Sequence, residues 1–242
     1  MKDYQLLDPK RHSQIRVQNQ GKLLELDRGL LAPAFIAEFR SLACEYPIVL
    51  VKDTETGQFL CAVLLGLSTH HLSCFDEDGE WRDAYLPWSL KRQPFLIANR
   101  ADENGDLVPM LSIDAGHPMV GEKSGDHVFE SDGTLTSMAE AKLTALRSIN
   151  DSASRTAQFV ERLIELELLT GLKVQGQTDS GNEIVVDDIY GIDEEALGLL
   201  SDSILVELHR TRYLEPIYLM VASLGRISGF MRQINQKHTA SS

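Results

Sequence analysis

Two short apolar runs on either side of a polar turn constrain this chain more than any other feature. Ile48-Val49-Leu50-Val51-Lys52 is followed by the turn Asp53-Thr54-Glu55-Thr56-Gly57 and then by the run Phe59 to Leu67. β-rich runs around a Gly-containing turn read as a hairpin. Their continuous rather than alternating apolar character predicts burial on both faces. The hairpin therefore anchors a fold, and it carries no chemistry of its own. With 242 residues, 43% of them hydrophobic, the chain is long enough to build one large domain or two small ones around such an anchor.

The pattern around the hairpin predicts an α+β protein. Residues 1–120 form a β-rich half, 121–136 a polar connection, and 137–242 a mainly helical half, and whether the halves share one core is left open by the pattern. In the first half, Gly21–Leu26, Phe95–Asn99 and Leu107–Ile113 read as strands, with Asp102-Glu103-Asn104-Gly105-Asp106 as the turn between the last two. Pro33 suits the first turn of a helix reaching Ala43, and Pro87–Lys91 a second short helix. Asp114 to Gly133 has no periodicity and is long for a connection, which marks it as functional, mobile or both.

From Ser137 onward the period is helical. Leu143, Leu146, Ile149, Ala153, Ala157, Val160 and Ile164 recur at three- and four-residue steps. Ser137 and Glu140 have capping-box spacing, Asn150-Asp151-Ser152 is a point for a break or bend, and Thr170-Gly171 is the expected end. A second hairpin, Leu172–Gln177 with Ile184–Val186, follows. Then come helices from Glu194 to Leu199, capped by Asp193, from Asp202 to about Thr211, and from Ile217 to about Ile234.

Net charge is −13. Such a balance opposes nonspecific binding to nucleic acid or anionic lipid and suits a cationic partner. The longest apolar runs, Phe59–Leu67 and Ile217–Leu224, fall well short of the ~20 residues that a spanning helix needs. No signal peptide is visible behind Met1-Lys2. Cys44, Cys61 and Cys74 are odd in number and widely spaced, which argues against a disulfide framework and for a reducing compartment, so a cytoplasmic location is expected.

Several clusters hold residue types that carry chemistry. His70 and His71 with Cys74 have the ligand types for zinc, but a structural site needs four ligands and no second close pair is present. Asp114 with His117 and His127 lies in a polar loop, where a carboxylate beside imidazoles orients a general base or binds a metal. The same residues are also ordinary turn chemistry. The stretch Gly116-x-x-x-x-Gly121-Glu122-Lys123-Ser124 fails as a phosphate loop because Glu122 sits where the signature needs Lys. There is no dinucleotide-binding glycine fingerprint, so no cofactor is expected. The acidic turns Asp76-Glu77-Asp78 and Asp102–Asp106 lack the ligand spacing of a calcium-binding loop. Trp81, Tyr85, Trp88 and Phe95 surround Pro87 and Pro94, as in aromatic peptide-binding surfaces. The competing reading is a satellite core under a loop.

These blocks also resemble a known family. Tyr46-Pro47-Ile48-Val49 with Lys52, Ala62 and Leu64-Leu65-Gly66-Leu67 form one block. Asp76-Glu77-Asp78-Gly79-x-Trp81, Tyr85-Leu86-Pro87 and Arg92-x-Pro94-Phe95 form another. Ile113-Asp114, Phe129-x-x-Asp132-Gly133, Tyr190-x-Ile192-Asp193-Glu194-x-x-Leu197 and Ile217-Tyr218 to Leu224 complete the set. Together they resemble the SapC family of bacterial proteins across almost the whole chain. The resemblance implies an association with antimicrobial-peptide resistance and surface-layer protein export. It also implies neighbours among transporters, outer-membrane uptake systems and flavin-dependent halogenase-like proteins. It carries over no catalytic residue. Some relatives by name are membrane permeases, a role that the hydropathy of this chain contradicts.

Three functions follow from these readings. The first is a non-enzymatic accessory protein that binds a peptide or a partner protein through the aromatic stretch 81–95 and the loop 114–127. The second is a metal-assisted enzyme with its site in that loop. The third is a structural subunit that forms a homo-oligomer through the apolar helix 217–234.

Overall fold

A computed structural model describes residues 3–18, 29–68, 71–72, 74–75, 81–82, 85–101, 107–179, 181 and 183–240. The strand expected at Gly21–Leu26 and the acidic turns at 76–78 and 102–106 lie outside these residues. The architecture is α+β, with antiparallel sheets in both compact units of the chain. The units do not follow chain order. One takes residues 1–28, 76–81 and 88–151, and the other takes 29–75, 82–87 and 152–242.

The first unit contains a three-stranded antiparallel sheet ordered Tyr4–Leu6, Leu107–Asp114, Phe95–Ala101. A smaller sheet places Arg16–Val17 between Val120–Gly121 and Asp126–His127. The connection expected to be irregular is therefore tied down at its centre. Gly125 has φ +101, and a Cβ there would sit 2.4 Å from the Val17 carbonyl oxygen, so only glycine fits. Arg16 Nη1 donates to the Gly125 carbonyl at 2.9 Å. The core holds Val17, Phe95, Ile113, Met119, Val128, Leu143 and Leu146.

The second unit is built on a five-stranded antiparallel sheet. Its order is Leu169–Gln177, Glu183–Ile192, Ile48–Lys52, Phe59–Leu64, Leu31–Pro33. The anticipated hairpin lies inside this sheet, which explains its continuous apolar runs: Ile48, Val49, Leu50, Val63 and Leu64 are fully buried. Pro33 ends an edge strand rather than opening a helix. A proline with no N–H to donate is tolerated at such an edge. The helical residues that follow are the 3-10 turn Ile36–Glu38 and the short helix Phe39–Leu42. Phe159 packs edge-on against both Phe39 and Tyr213, joining three helical segments in the core of the unit.

One helix runs unbroken from Ser137 to Glu165. Asn150 and Asp151 do not break it, because both are exposed and their side chains can face water. Its cap is Thr136 rather than Ser137. The Thr136 hydroxyl accepts from the Ala139 N–H at 3.4 Å and donates to the His127 carbonyl at 2.7 Å. The helix ends before the expected Thr170-Gly171, which lie in the strand Leu169–Gln177. Glu167 takes the left-handed conformation at φ 54, while the Leu168 N–H reaches the Leu163 carbonyl and the Glu167 N–H reaches that of Ile164. This is a Schellman ending, with Leu163 and Leu168 both fully buried.

Asp193 caps Glu194–Gly198 as expected, accepting from the Ala196 N–H at 2.9 Å. The last apolar stretch forms two helices, Leu214–Ser223 and Ile227–Ala240, around a 3-10 turn at Leu224–Arg226. Ile217, Met220, Phe230 and Ile234 are buried, so the apolar stripe is spent on this unit's own core, while Tyr218 is 54% exposed. No helix among the described residues is long and apolar enough to cross a membrane.

Candidate functional site

The second unit carries an apolar groove of about 710 Å³. That volume is in the range of ligand-binding clefts, ~300–1,000 Å³. Its floor is one face of the five-stranded sheet. Directly paired residues of antiparallel strands share a face. The pairs Leu31 with Leu64, Pro33 and Val49 with Ala62, and Val51 with Leu60 therefore place Leu31, Pro33, Val51, Leu60 and Ala62 on one side. All five of these line the groove.

The wall is the second half of the long helix. Ala153, Thr156, Ala157, Val160, Glu161 and Ile164 line the groove at steps of three and four, and so occupy one helical face. The groove exists because this face is not filled. Ala153 and Ala157 offer only methyl groups and remain exposed. Leu31, Leu60 and Ile164 are consequently left 38%, 48% and 46% exposed. Large apolar side chains that gather in one concavity mark a binding surface rather than scattered surface residues.

Two local structures hold the groove in shape. At one side, Thr156 is buried; its Oγ1 accepts from the Ile36 N–H at 3.2 Å and donates to the Ser152 carbonyl at 2.9 Å. This fixes the helical wall to the 3-10 turn. At the lip, Asp53 organises the hairpin turn. Its Oδ1 accepts from the Thr56 N–H at 2.7 Å, the Thr56 hydroxyl at 2.8 Å and the Glu55 N–H at 3.1 Å. These bonds, that of the Thr56 N–H first, hold its carboxyl below the usual range. Gly57, at φ +72, completes the turn and lines the groove beside Gln58.

Chemically, the lining is poor in reactive groups. Burial pushes the Cys61 thiol up to about 12, so it is a protonated small hydrophobe rather than a nucleophile. Among the described residues, the only carboxylate of the lining is Glu161. The surface suits burial of an apolar group and offers no acid–base pair.

The residues singled out in the sequence lie elsewhere. Trp81, Trp88 and Phe95 belong to the first unit and Tyr85 to the second. Phe95 is a core residue at 2% exposure, while Trp81 and Trp88 are half-buried. Tyr85 donates to Glu38 Oε2 at 3.2 Å, and its carbonyl accepts from the Tyr46 hydroxyl at 2.9 Å. Burial first, and then the Glu38 carboxylate, raises the Tyr85 phenol above its ordinary value.

Asp114 and His117 share one turn. Asp114 Oδ1 accepts from the Asp3 N–H at 2.8 Å and the Gly116 N–H at 3.2 Å, and its carbonyl accepts from the His117 N–H. His117 Nδ1 accepts from the Met119 N–H at 3.2 Å. His127 has a buried Nδ1 with no hydrogen-bond partner. His70 and the side chain of His71 lie outside the described residues, and Cys74 is buried. Among the described residues, no three His, Cys, Asp or Glu side chains gather to hold a metal ion.

Sequence reasoning did not single out the groove, although it had one of its signals. The stripe Ala153, Ala157, Val160 and Ile164 shows in the helical period but reads as core. Only the packing shows that this part of the stripe is left uncovered.

The family model for SapC matches residues 7–230 of the 242-residue chain. No curated protein and no solved structure matches it.

Proposed function

This chain belongs to the SapC family, and from that premise we propose that it is a non-enzymatic accessory protein whose groove binds an apolar segment of a peptide or partner protein. The observation that carries this reading is the groove itself. It is an apolar cleft of about 710 Å³, flanked by exposed Leu31, Leu60 and Ile164 and lacking any acid–base pair in its lining. Small residues on one wall and larger aliphatic ones on the floor are what a docked segment with i, i+3 and i+4 anchors requires. The charge of −13 favours encounter with a cationic partner. The family resemblance supports a role for such a protein in a peptide-resistance, export or uptake system. Three free cysteines, two of them buried, suit work in the cytoplasm.

The test is binding of a dye-labelled, end-blocked 12-residue peptide of Leu, Ala and Gln, followed by fluorescence anisotropy. Saturable binding is expected. It should weaken at least ~10-fold in Ala157→Phe, in which a ring occupies the space left by a methyl group. The peptide should be recovered intact by mass spectrometry. Equal binding to the variant, or turnover of the peptide, would sink the reading.

A further inference from the structure

We infer that Glu161 is the groove's charge-reading residue, and that the segment docked there carries a Lys or Arg about one helical turn from its apolar anchors. This rests on the groove being the ligand site. Glu161 lies on the groove-lining face of the helix, between Ala157 and Ile164, and is exposed. Among the described residues it has neither an ion-pair nor a hydrogen-bond partner. The nearest cation along the helix, Arg162, is already held by Glu165 at 2.8 Å and Glu207 at 2.7 Å. Among the described residues, no Lys, Arg or His belongs to the lining.

An unpaired carboxylate beside exposed Ala157 and Ile164 is an acceptor next to apolar contacts. It favours a ligand that is apolar over most of its contact and cationic at one point. It disfavours one with an anionic head, such as a fatty acid, because like charges would meet at the rim. A net negative surface attracts any cation at long range, so the inference is specifically that Glu161 reads charge locally and not that the whole protein does.

The experiment separates these two sources of preference. Two end-blocked 12-residue peptides of Leu, Ala and Gln are used, one with a single Lys and one with Glu at the same position. Each is titrated into wild type, Glu161→Lys and Ala157→Phe at low salt. The Lys peptide should bind wild type about 3- to 5-fold more tightly than the Glu peptide, as an exposed pair allows. In Glu161→Lys the preference for the Lys peptide should fall by at least about 3-fold, and in Ala157→Phe both peptides should weaken. Suppose the Lys preference is the same in wild type and Glu161→Lys while Ala157→Phe still blocks binding. The inference then fails, and the groove reading stands. If Ala157→Phe changes nothing, or neither peptide binds saturably, both fail.

Discussion

Lys142 carries a buried ammonium group, and its removal should change how stability depends on pH. The residue is 7% exposed in the first unit. Its Nζ donates to the Gln93 carbonyl at 2.8 Å and the Lys91 carbonyl at 3.4 Å, just past the short helix Trp88–Lys91. Carbonyls at a helix end suit a cation, but among the described residues no carboxylate pairs with it, and burial, with Lys91 as a lesser cause, lowers its value from 10.5 to about 8. The sign follows from proton counts. Between pH 8 and 10.5 the unfolded chain keeps the proton that the folded chain releases, so stability rises with pH across this window. Below pH 8 both states are protonated and the contribution is flat. The drop from 10.5 to about 8, at about 1.4 kcal/mol per pH unit, corresponds to about 3 kcal/mol.

The perturbation is Lys142→Met, which keeps the aliphatic stem and deletes the titrating group. The assay is urea unfolding at pH 7, 8, 9, 10 and 10.5, read by tryptophan fluorescence. Both tryptophans, Trp81 and Trp88, belong to the same unit as Lys142. Tyr46 and Tyr85, whose phenols are raised chiefly by burial, are present in both proteins and cancel in the difference. Stability of wild type minus variant should rise by about 3 kcal/mol over the window. Parallel pH profiles would refute the reasoning and show that Lys142 keeps an ordinary proton affinity where it sits.

Further outcomes are expected from other residues. Ser223→Ala should destabilise the second unit by about 1–3 kcal/mol in urea unfolding, because the buried Ser223 Oγ accepts from the Ile48 N–H at 2.8 Å and donates to the Met220 carbonyl at 2.7 Å; no change would mean that the Ile48 N–H finds another acceptor. Asp193→Ala should cost about 1 kcal/mol through loss of the cap on Glu194–Gly198, and Asp193→Asn should restore most of it. Ala157→Phe should abolish the fluorescence rise of Nile red, a neutral apolar dye, while altering stability by less than about 1 kcal/mol, since Ala157 is exposed. Undiminished dye fluorescence would mean that the dye reports some other surface.

Local pattern made much of the fold legible. The hairpin of Ile48–Lys52 and Phe59–Leu64, the strands at Phe95 and Leu107, the Asp193 cap and the start of the long helix near Ser137 all follow from local signals. Periodicity, turn residues and capping chemistry act over a few residues, and those interactions are complete within the segment that encodes them. The same locality explains the errors at element ends. The long helix stops at a left-handed Glu167 rather than at Gly171 because Leu163 and Leu168 are both drawn into the core. Pro33 becomes a strand end because Phe59–Leu64 lies beside it as a partner.

The candidate site was the least legible part, for a related reason. Sequence by itself determined that the chain is acidic, that it has no apolar run able to span a membrane as a helix, that its fold is α+β, and that it resembles the SapC family. It also placed Ala153, Ala157, Val160, Glu161 and Ile164 on the same helix. Tertiary structure decided that Leu31, Leu60 and Ala62, distant in the chain, face that stripe across an unfilled space. It decided likewise that Phe95 is core, that Asp114 is tied into its own turn, and that Arg162 is paired while Glu161 is not. A stripe of apolar residues states that a helix has something to cover. Which part of it stays open depends on the volume of side chains brought in from other strands, and that is a property of packing rather than of any one segment.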